Sequence, residues 1–268
     1  MIILNKYWIW FSKINSIGAK TQNELLKKYK TPEIIWNLTK EDLKKDVNDI
    51  QAEIILDANY RKNLEKYIEF MNKNNIKMLT IQDENYPDKL RNIYDPPVVL
   101  YIKGNEEILG DKSIAIIGSR ICSEYGKKAA KQFAYNLSKH NINIISGLAK
   151  GIDKYAHLGT IIADKPTIAV VGCGLDMVYP KENEEIFNCI IKSGAVVSEY
   201  IVGTKPQRIY FPARNRIISA LSDGILVVEA SLKSGTSTTV EFALEHGKNI
   251  YAIPRKYKLL YINAEQTN

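Results

Sequence analysis

The chain has 268 residues, of which 45% are hydrophobic and 25% charged, a composition typical of folded globular proteins that argues against disorder. Its formal net charge of +7 permits a polyanionic partner without requiring one. No apolar run reaches the roughly 18 residues of a transmembrane helix, and the apolar N-terminus, interrupted by Lys6 and Lys13, lacks a signal-peptide cleavage site. Cys122, Cys173 and Cys189 match no zinc spacing and indicate reduced thiols. We therefore expect a cytoplasmic protein that binds no membrane, metal or cofactor.

Residues 1–75 are predicted to form a small all-helical domain. Apolar residues recur at three- and four-residue spacing in Glu24–Tyr29, Pro32–Leu38, Lys40–Asp46 and Gln51–Asn72. The octapeptide around Gly18 resembles half of a helix-hairpin-helix, in which a glycine turn offers backbone N–H groups to a DNA phosphate. A glycine turn between two packed helices is the competing interpretation, and we favour it.

Residues 76–268 are predicted to form a Rossmann-like domain, which opens with a proline-rich connector containing the strands Met78–Ile81 and Val98–Ile102. Beyond Ser113, short apolar runs alternate with amphipathic helical stretches, which indicates a doubly wound, mainly parallel α/β sheet. The predicted strands are Ile114–Ile117, Ile142–Ile145, Thr167–Val171, Ala195–Val197, Ile225–Val228 and Asn249–Ile253. The predicted helices are Glu124–Lys139, Ile152–Ala163, Glu182–Lys192, Asn215–Leu221 and Thr238–His246.

The loops after the predicted strands are rich in glycine, hydroxyl groups and cations. Ligands of open α/β sheets bind at the carboxyl ends of the strands, where glycine permits close approach and helix N-termini attract anions. Such loops occur at 118–120, 146–153, 172–174 and 234–237. The dinucleotide fingerprint is missing after the first strand, and no acidic residue ends the second, so the pattern disfavours NAD.

The segment Lys205–Arg216 contains four cations and two aromatic residues but no acid. We interpret Phe211-Pro212 as extended and Arg214-Asn215-Arg216 as the opening of a helix. Cations at a helix start oppose the helix dipole, so these arginines are expected to contact phosphates while Tyr210 or Phe211 stacks on a base.

These motifs together resemble the DNA-processing protein A family (DprA, also called Smf). The resemblance rests on Gly118-Ser119-Arg120, Ser146-Gly147-Leu148-Ala149-x-Gly151-Ile152-Asp153, Phe211-Pro212-x-Arg214-Asn215-Arg216 and Ser234-Gly235-Thr236-Ser237, preceded by Tyr86-Pro87 and Pro96–Gly104. It covers residues 76–254 strongly and the helical N-terminus loosely.

The resemblance implies a Rossmann-like homodimer whose N-terminal helical domain is akin to sterile alpha motifs or helix-hairpin-helix units. It implies binding of single-stranded DNA and loading of the RecA recombinase during natural transformation. The sequence contains no evident catalytic constellation, so we do not expect an enzyme. The candidate DNA-binding residues are Gly118, Ser119, Arg120, Gly147, Lys150, Arg208, Phe211, Arg214, Asn215, Arg216, Gly235 and Thr236. The short tail after Pro254 departs from the family, and we expect a truncated C-terminus without a winged helix.

A Rossmann-like nucleoside-monophosphate phosphoribohydrolase, resembling the "lonely guy" enzymes, is the alternative function. In that interpretation Glu241 activates water on a glycosidic bond. The Pro-Gly-Gly that such enzymes carry is missing here, so we favour a solvated helix residue at Glu241. The histidines His140, His157 and His246 lie far apart in sequence, which indicates packing rather than a metal site.

Overall fold

The computed structural model of the chain describes residues 2–230 and 235–254. The predicted Ser234 hydroxyl and the tail at 255–268, on which the winged-helix expectation depends, lie outside these residues. Within them the chain forms a layer of short helices followed by a sheet with helices on both faces. No helix in the described ranges is long and apolar enough to cross a membrane.

The N-terminal layer is helical, as predicted. Its helices are α1 (Ile2–Lys13), α2 (Ala19–Tyr29), α3 (Pro32–Trp36), α4 (Lys40–Leu43), α5 (Asp49–Leu56), α6 (Ala58–Arg61) and α7 (Leu64–Lys73). Thr31 and Thr39 each accept a backbone N–H at a helix start and therefore act as N-caps of α3 and α4. Gly18 adopts a φ of 80° and turns the chain into α2.

The single helix predicted over Gln51–Asn72 is wrong, because the chain breaks there twice. Asp57 leaves helical geometry and its carboxylate accepts the Asn59 N–H at 2.8 Å, which starts α6. Asn63 takes the left-handed conformation, with a φ of 58°, and separates α6 from α7. Short polar side chains that bond to nearby backbone groups interrupt a helix despite a continuous apolar pattern.

The described residues form an eight-stranded sheet in the order β1-β2-β6-β5-β4-β3-β7-β8. The strands are β1 (Ile76–Thr80), β2 (Val99–Gly104), β3 (Ser113–Gly118), β4 (Asn143–Ser146), β5 (Thr167–Val170), β6 (Ala195–Ser198), β7 (Gly224–Glu229) and β8 (Asn249–Ala252). The six neighbouring strands β6-β5-β4-β3-β7-β8 pair in parallel. Beside β6, the strands β2 and β1 add an antiparallel edge. The predicted Rossmann-like, mainly parallel fold is confirmed.

Helices cover both faces of the sheet, so its inner strands β3 to β7 are largely apolar and buried. They are α8 (Asp88–Arg91), α9 (Glu124–Lys139), α10 (Ile152–Ile162), α11 (Glu184–Ser193), α12 (Tyr210–Leu221) and α13 (Gly235–Glu245). Neighbouring strand residues face opposite cores: Ile116 packs in the cluster of α9 and α10, while Ala115 and Ile117 pack in the cluster of α12 and α13.

The N-terminal helices share one hydrophobic core with the sheet. Trp10 and Phe11 of α1 belong to the same cluster as Tyr101 of β2 and Val196 of β6. The Ser12 hydroxyl also lies 2.6 Å from the Tyr101 hydroxyl. Helices give way to strands between Lys73 and Ile76, close to the predicted boundary at 75. Independent folding of 1–75 and 76–268 stays a prediction.

Candidate nucleic-acid interface

The loops at the carboxyl ends of β3, β4 and β7 meet the start of α12 around a cleft of about 520 Å³. Topology brings these loops together because β3 lies between β4 and β7. Of the predicted site residues, the cleft is lined by Gly118, Ser119, Arg120, Phe211, Arg214, Asn215, Gly235 and Thr236. Four predicted residues, namely Gly147, Lys150, Arg208 and Arg216, lie outside this lining.

Gly118 and Gly151 serve close packing between two protein loops. A Cβ on Gly118 would lie 2.5 Å from the Ile152 side chain, and one on Gly151 would lie 2.3 Å from the Ser119 carbonyl oxygen. The Ile152 N–H donates to that same carbonyl at 3.2 Å. The glycines therefore hold the Ser119–Arg120 turn against the start of α10, which fixes the direction of the Arg120 backbone.

Gly147 is buried, and the structure corrects its assignment as a ligand contact. Its N–H donates to the Asp153 carboxylate at 3.0 Å, and a Cβ there would lie 2.7 Å from the Arg214 guanidinium nitrogens. Glycine is required at 147 so that Asp153 and Arg214 can approach the loop.

The interpretation of Phe211-Pro212 as extended is wrong, because α12 begins at Tyr210. Arg214 and Arg216 consequently lie inside the helix, and each has only 4% of its surface exposed. The assignment of both arginines as phosphate ligands is corrected by their protein partners.

Arg214 is bonded to two strand ends. Its Nη1 donates to the Gly147 carbonyl at 2.7 Å and also to the Val170 carbonyl. Burial lowers the pKa of Arg214, whereas the neighbouring Asp153 carboxylate opposes that change. Burial likewise raises the pKa of Asp153, opposed by Arg214 and by the backbone N–H groups that the carboxylate accepts. Arg214 thus fixes the loops below the cleft.

Arg216 forms a buried ion pair. Its Nη1 and Nη2 donate to the two Glu199 carboxylate oxygens at 2.8 and 2.6 Å, and its Nε lies 3.1 Å from an Asp95 carboxylate oxygen. Burial alone would lower the pKa of Arg216, but the Glu199 carboxylate raises it overall. This bidentate geometry occupies the guanidinium fork that a phosphate would need. We call Asp153, His157, Arg214 and Arg216 the buried polar layer.

His157 completes this layer as a neutral side chain. Burial lowers the pKa of His157 to about 3. The Thr167 hydroxyl donates to the Ile144 carbonyl at 2.7 Å, so it accepts a hydrogen bond from the His157 Nδ1, 2.9 Å away. The Nε2 is buried and has no hydrogen-bond partner among the described residues. The part of the chain that the structure describes contains no group of three His, Cys, Asp or Glu side chains that could hold a metal ion.

We call Arg120, Lys150, Tyr179, Arg208 and Phe211 the exposed rim. Arg120 and Phe211 line the cleft, Tyr179 stacks on Phe211, Lys150 follows Ala149 of the lining, and Arg208 precedes α12. Arg120 is exposed, and its guanidinium carbon lies 5.7 Å from the centre of the half-buried Phe211 ring. None of the ion pairs among the described residues involves Arg120. The carboxylates of Asp153 and Glu229 do not pair with Arg120; they accept backbone N–H groups from Gly147 and Ser123 respectively.

The remaining predicted residues differ in their availability to a ligand. Arg208 is exposed, whereas the exposed Lys150 pairs with Glu182 at 2.5 Å. Asn215 is buried and donates to the Gly235 carbonyl at 3.2 Å, which ties α12 to the start of α13. Thr236 lines the cleft with 6% of its surface exposed.

Two aromatic residues that pack against the start of α12 were not predicted from the sequence. The ring of Tyr179 stacks on Phe211 with centroids 5.4 Å apart, and the ring centroids of Tyr200 and Tyr210 are 4.2 Å apart. Tyr179 and Tyr200 follow β5 and β6 at some distance along the chain, so strand-end glycines alone did not indicate them. Aromatic residues within the longer loops after β5 and β6 were the available signal.

A larger cavity of about 620 Å³ lies on the other side of α12, against the Gly18 turn. Asp95 and Glu199 contribute carboxylates to its lining, and Arg216 is the cation between them. With two carboxylates and one guanidinium, the lining of the larger cavity disfavours a polyanion. The cleft of about 520 Å³ is therefore the better candidate for phosphate binding, although it is the smaller of the two.

The sequence profile of the family described as DNA recombination-mediator protein A matches residues 77–266. The chain belongs to this family. The match contains every strand of the sheet except the first residue of β1, and it contains all the loops around the cleft.

Relatives in the DNA recombination-mediator protein A family share sequence over much of this chain. DNA processing protein DprA of Streptococcus pneumoniae is 41% identical over 74% of this chain and 67% of its own length. Protein Smf of Synechocystis is 34% identical over 92% of this chain and 64% of its own length. The alignments thus span about two thirds of these relatives.

Solved structures of this family share the fold. The X-ray structure of DNA processing protein A from Streptococcus pneumoniae has a TM-score of 0.81 and 33% identity, covering 94% of this chain and 88% of that chain. A structure of DNA processing protein A from Helicobacter pylori, reported for its single-stranded DNA binding mode, has a TM-score of 0.63 and 32% identity. It covers 68% of this chain and 82% of that chain.

Proposed function

We propose that this chain binds single-stranded DNA in the cleft at the carboxyl edge of the sheet. The observation that carries the proposal is the pairing of exposed Arg120 with the half-buried Phe211 ring at the mouth of that cleft. A guanidinium that has no carboxylate partner among the described residues suits a phosphate, and an aromatic ring suits an unpaired base. The single-stranded DNA binding described for the Helicobacter pylori relative supports the same ligand.

A single strand fits this chemistry better than a duplex. In a duplex both faces of each base are covered by neighbouring bases, so stacking on Phe211 requires unpairing, which costs a few kcal/mol. A flexible single strand can turn one base toward the ring while its phosphate meets Arg120. Little base preference is expected, because every base offers a π-face.

The proposal is tested by fluorescence anisotropy with a single strand and a blunt duplex of equal length at two salt concentrations. Tighter binding of the single strand, weakening as salt rises, is expected. Equal affinity for the two forms contradicts the proposal. Lys139→Ala, at the far end of α9, is the matched cation control and should leave binding unchanged.

We propose further that the chain protects incoming DNA and loads RecA recombinase during natural transformation, as a homodimer in the cytoplasm. Support comes from family membership and from exposed apolar groups near the β8 edge, where Leu244 and Tyr251 are 66% and 53% exposed. Sedimentation equilibrium tests the dimer, and a monomer at all concentrations contradicts it. RecA nucleation on a protein-coated single strand, with and without this chain, tests the loading.

We propose binding without catalysis. Glu241, the carboxylate of the alternative phosphoribohydrolase interpretation, is exposed on α13, whereas Thr236 and Thr239 of that helix line the cleft. Incubation with nucleoside monophosphates should release no free base. Release that disappears in Glu241→Gln would instead support the enzyme.

A further inference from the structure

The ring of Phe211 does not stand alone at the mouth of the cleft. One side packs against Tyr179, with an interplanar angle of 29°, and its edge lies over the backbone of Gly172, where a Cβ would come within 3.2 Å of the ring. Part of the Phe211 surface is therefore already occupied by protein. A base that stacks on Phe211 has to use the part that remains.

Tyr179 itself stays accessible. It is 49% exposed although one side of its ring packs against Phe211. Most of that exposure consequently belongs to the opposite side of the ring and its edge. A half-exposed aromatic ring stacked on Phe211, whose own ring centre lies 5.7 Å from the Arg120 guanidinium carbon, has the properties of a base-stacking platform.

The segment that carries Tyr179 is anchored in the fold. Asn183, fully buried, donates its side-chain N–H groups to the carbonyls of Leu148 and Ala149 at 2.9 and 3.2 Å. Lys150 pairs with Glu182 across the same two loops at 2.5 Å. These contacts join the Tyr179 loop to the loop after β4 that lines the cleft, so the ring is held ready before a ligand arrives.

We propose that Tyr179 is a second base-stacking residue, which receives a different base of the same strand from the one at Phe211. This inference rests on the proposed binding of single-stranded DNA. The two rings form a continuous aromatic ledge, with the Arg120 guanidinium beside Phe211. The strand then contacts the ledge through two unpaired bases, and one of its phosphates meets Arg120.

The competing role for Tyr179 is to support Phe211 without touching DNA. Three substitutions separate the roles. Tyr179→Ala should weaken binding of a short thymidine oligonucleotide about 5- to 100-fold, the effect of losing one stacked base. Tyr179→Phe keeps the ring and should bind within about twofold of the unmodified protein, whereas Tyr179→Leu fills the space without a π-face and should bind nearly as weakly as Tyr179→Ala.

A double variant gives the decisive readout. If the rings hold two bases, the losses of Tyr179→Ala and Phe211→Ala should multiply in the double variant. If Tyr179 only supports Phe211, Tyr179→Ala should have no effect once Phe211 is alanine, and that result overturns the inference. Tyr135→Ala, an exposed tyrosine three turns into α9, is the matched control and should bind normally.

Abasic substitutions along the oligonucleotide locate the two bases. In the unmodified protein, two positions should be sensitive to base removal, and Tyr179→Ala should make one of them insensitive. If binding is sensitive to base removal at one position only, and Phe211→Ala abolishes that sensitivity, the inference is overturned while the proposed function stands. Failure of the unmodified protein to bind any single strand overturns the proposed function itself. Thermal melting confirms that each variant is folded.

Discussion

The buried polar layer and the exposed rim use similar cations within one edge of the sheet, yet the cations meet opposite surroundings. Arg216 is 4% exposed and bonds to Glu199 through both terminal nitrogens, whereas Arg120 is exposed and has no ion pair among the described residues. Solvent access decides what each guanidinium does. In the layer it must be matched by protein oxygens, and in the rim it is available for a ligand.

The largest expected effect comes from breaking the buried pair. Arg216→Ala leaves Glu199 and Asp95 without their cation, and removal of one partner of a buried ion pair costs about 3–5 kcal/mol. We expect urea denaturation to show that loss in the free energy of unfolding. Arg216→Lys, which keeps the charge without the planar fork, should recover part of it.

If Arg216 contributes instead as a phosphate ligand, the outcome differs. Arg216→Ala would then unfold at the same urea concentration as the unmodified protein and bind single-stranded DNA more weakly. That result would show that an arginine of the buried polar layer binds DNA as a rim arginine does, so burial would not separate structural from ligand-binding cations.

The rim should respond in the opposite way. Arg120→Ala removes a charge-assisted contact to one phosphate, so affinity for single-stranded DNA should fall about tenfold or more. The log–log salt slope should become shallower by about 0.7. The melting temperature should change by no more than about 2 °C, because Arg120 makes no internal ion pair in the described ranges.

A destabilised Arg120→Ala protein with normal affinity would place Arg120 among the structural residues. Lys139→Ala again serves as the control, because it removes an exposed cation at the opposite end of α9.

The buried layer also predicts a dependence of stability on pH. Burial lowers the pKa of His157 to about 3 in the folded chain, from 6.5 when solvated. Between these values the unfolded chain binds a proton that the folded chain does not, so the free energy of unfolding falls as pH falls below 6.5. The unfolded histidine is half protonated at pH 6.5 and almost fully protonated at pH 5, so the expected loss between these two values is roughly 1–2 kcal/mol.

His157→Asn isolates this effect. The asparagine amide can replace the Nδ1–H donor to Thr167 but does not titrate. Urea denaturation at pH 7.5, 6.5 and 5 should therefore show a shallower decline for the variant. Parallel declines for the two proteins would show that His157 is not responsible.

The smallest expected effect concerns Lys150, which belongs to the rim but already has a carboxylate partner. Because Glu182 neutralises it, Lys150→Ala should reduce affinity by no more than about twofold to threefold. Glu182→Gln frees the lysine and should strengthen binding slightly, with a steeper salt dependence. Filter binding over a salt series measures both, and a large loss in Lys150→Ala would show that DNA displaces Glu182.

The fold could be predicted from the sequence because its signals are local. Apolar runs of three to five residues, alternating with amphipathic stretches, indicate a parallel sheet wherever both faces are covered, and the strands β3 to β8 lie where those runs are. Glycines after the strands likewise indicated the edge at which the cleft forms, and the recurring motifs indicated the family.

Burial at the site could not be predicted in this way, because it depends on residues distant in sequence. The run of cations from Lys205 to Arg216 looks uniform along the chain, but Arg208 lies in solvent before α12 begins, whereas α12 turns Arg216 toward Glu199 and Asp95. Tyr179 meets Phe211 only because the loop after β5 packs beside the start of α12. Local pattern specifies strands and helices, whereas the pairing of charges and rings arises from long-range packing, which determines the buried and exposed side chains of this edge.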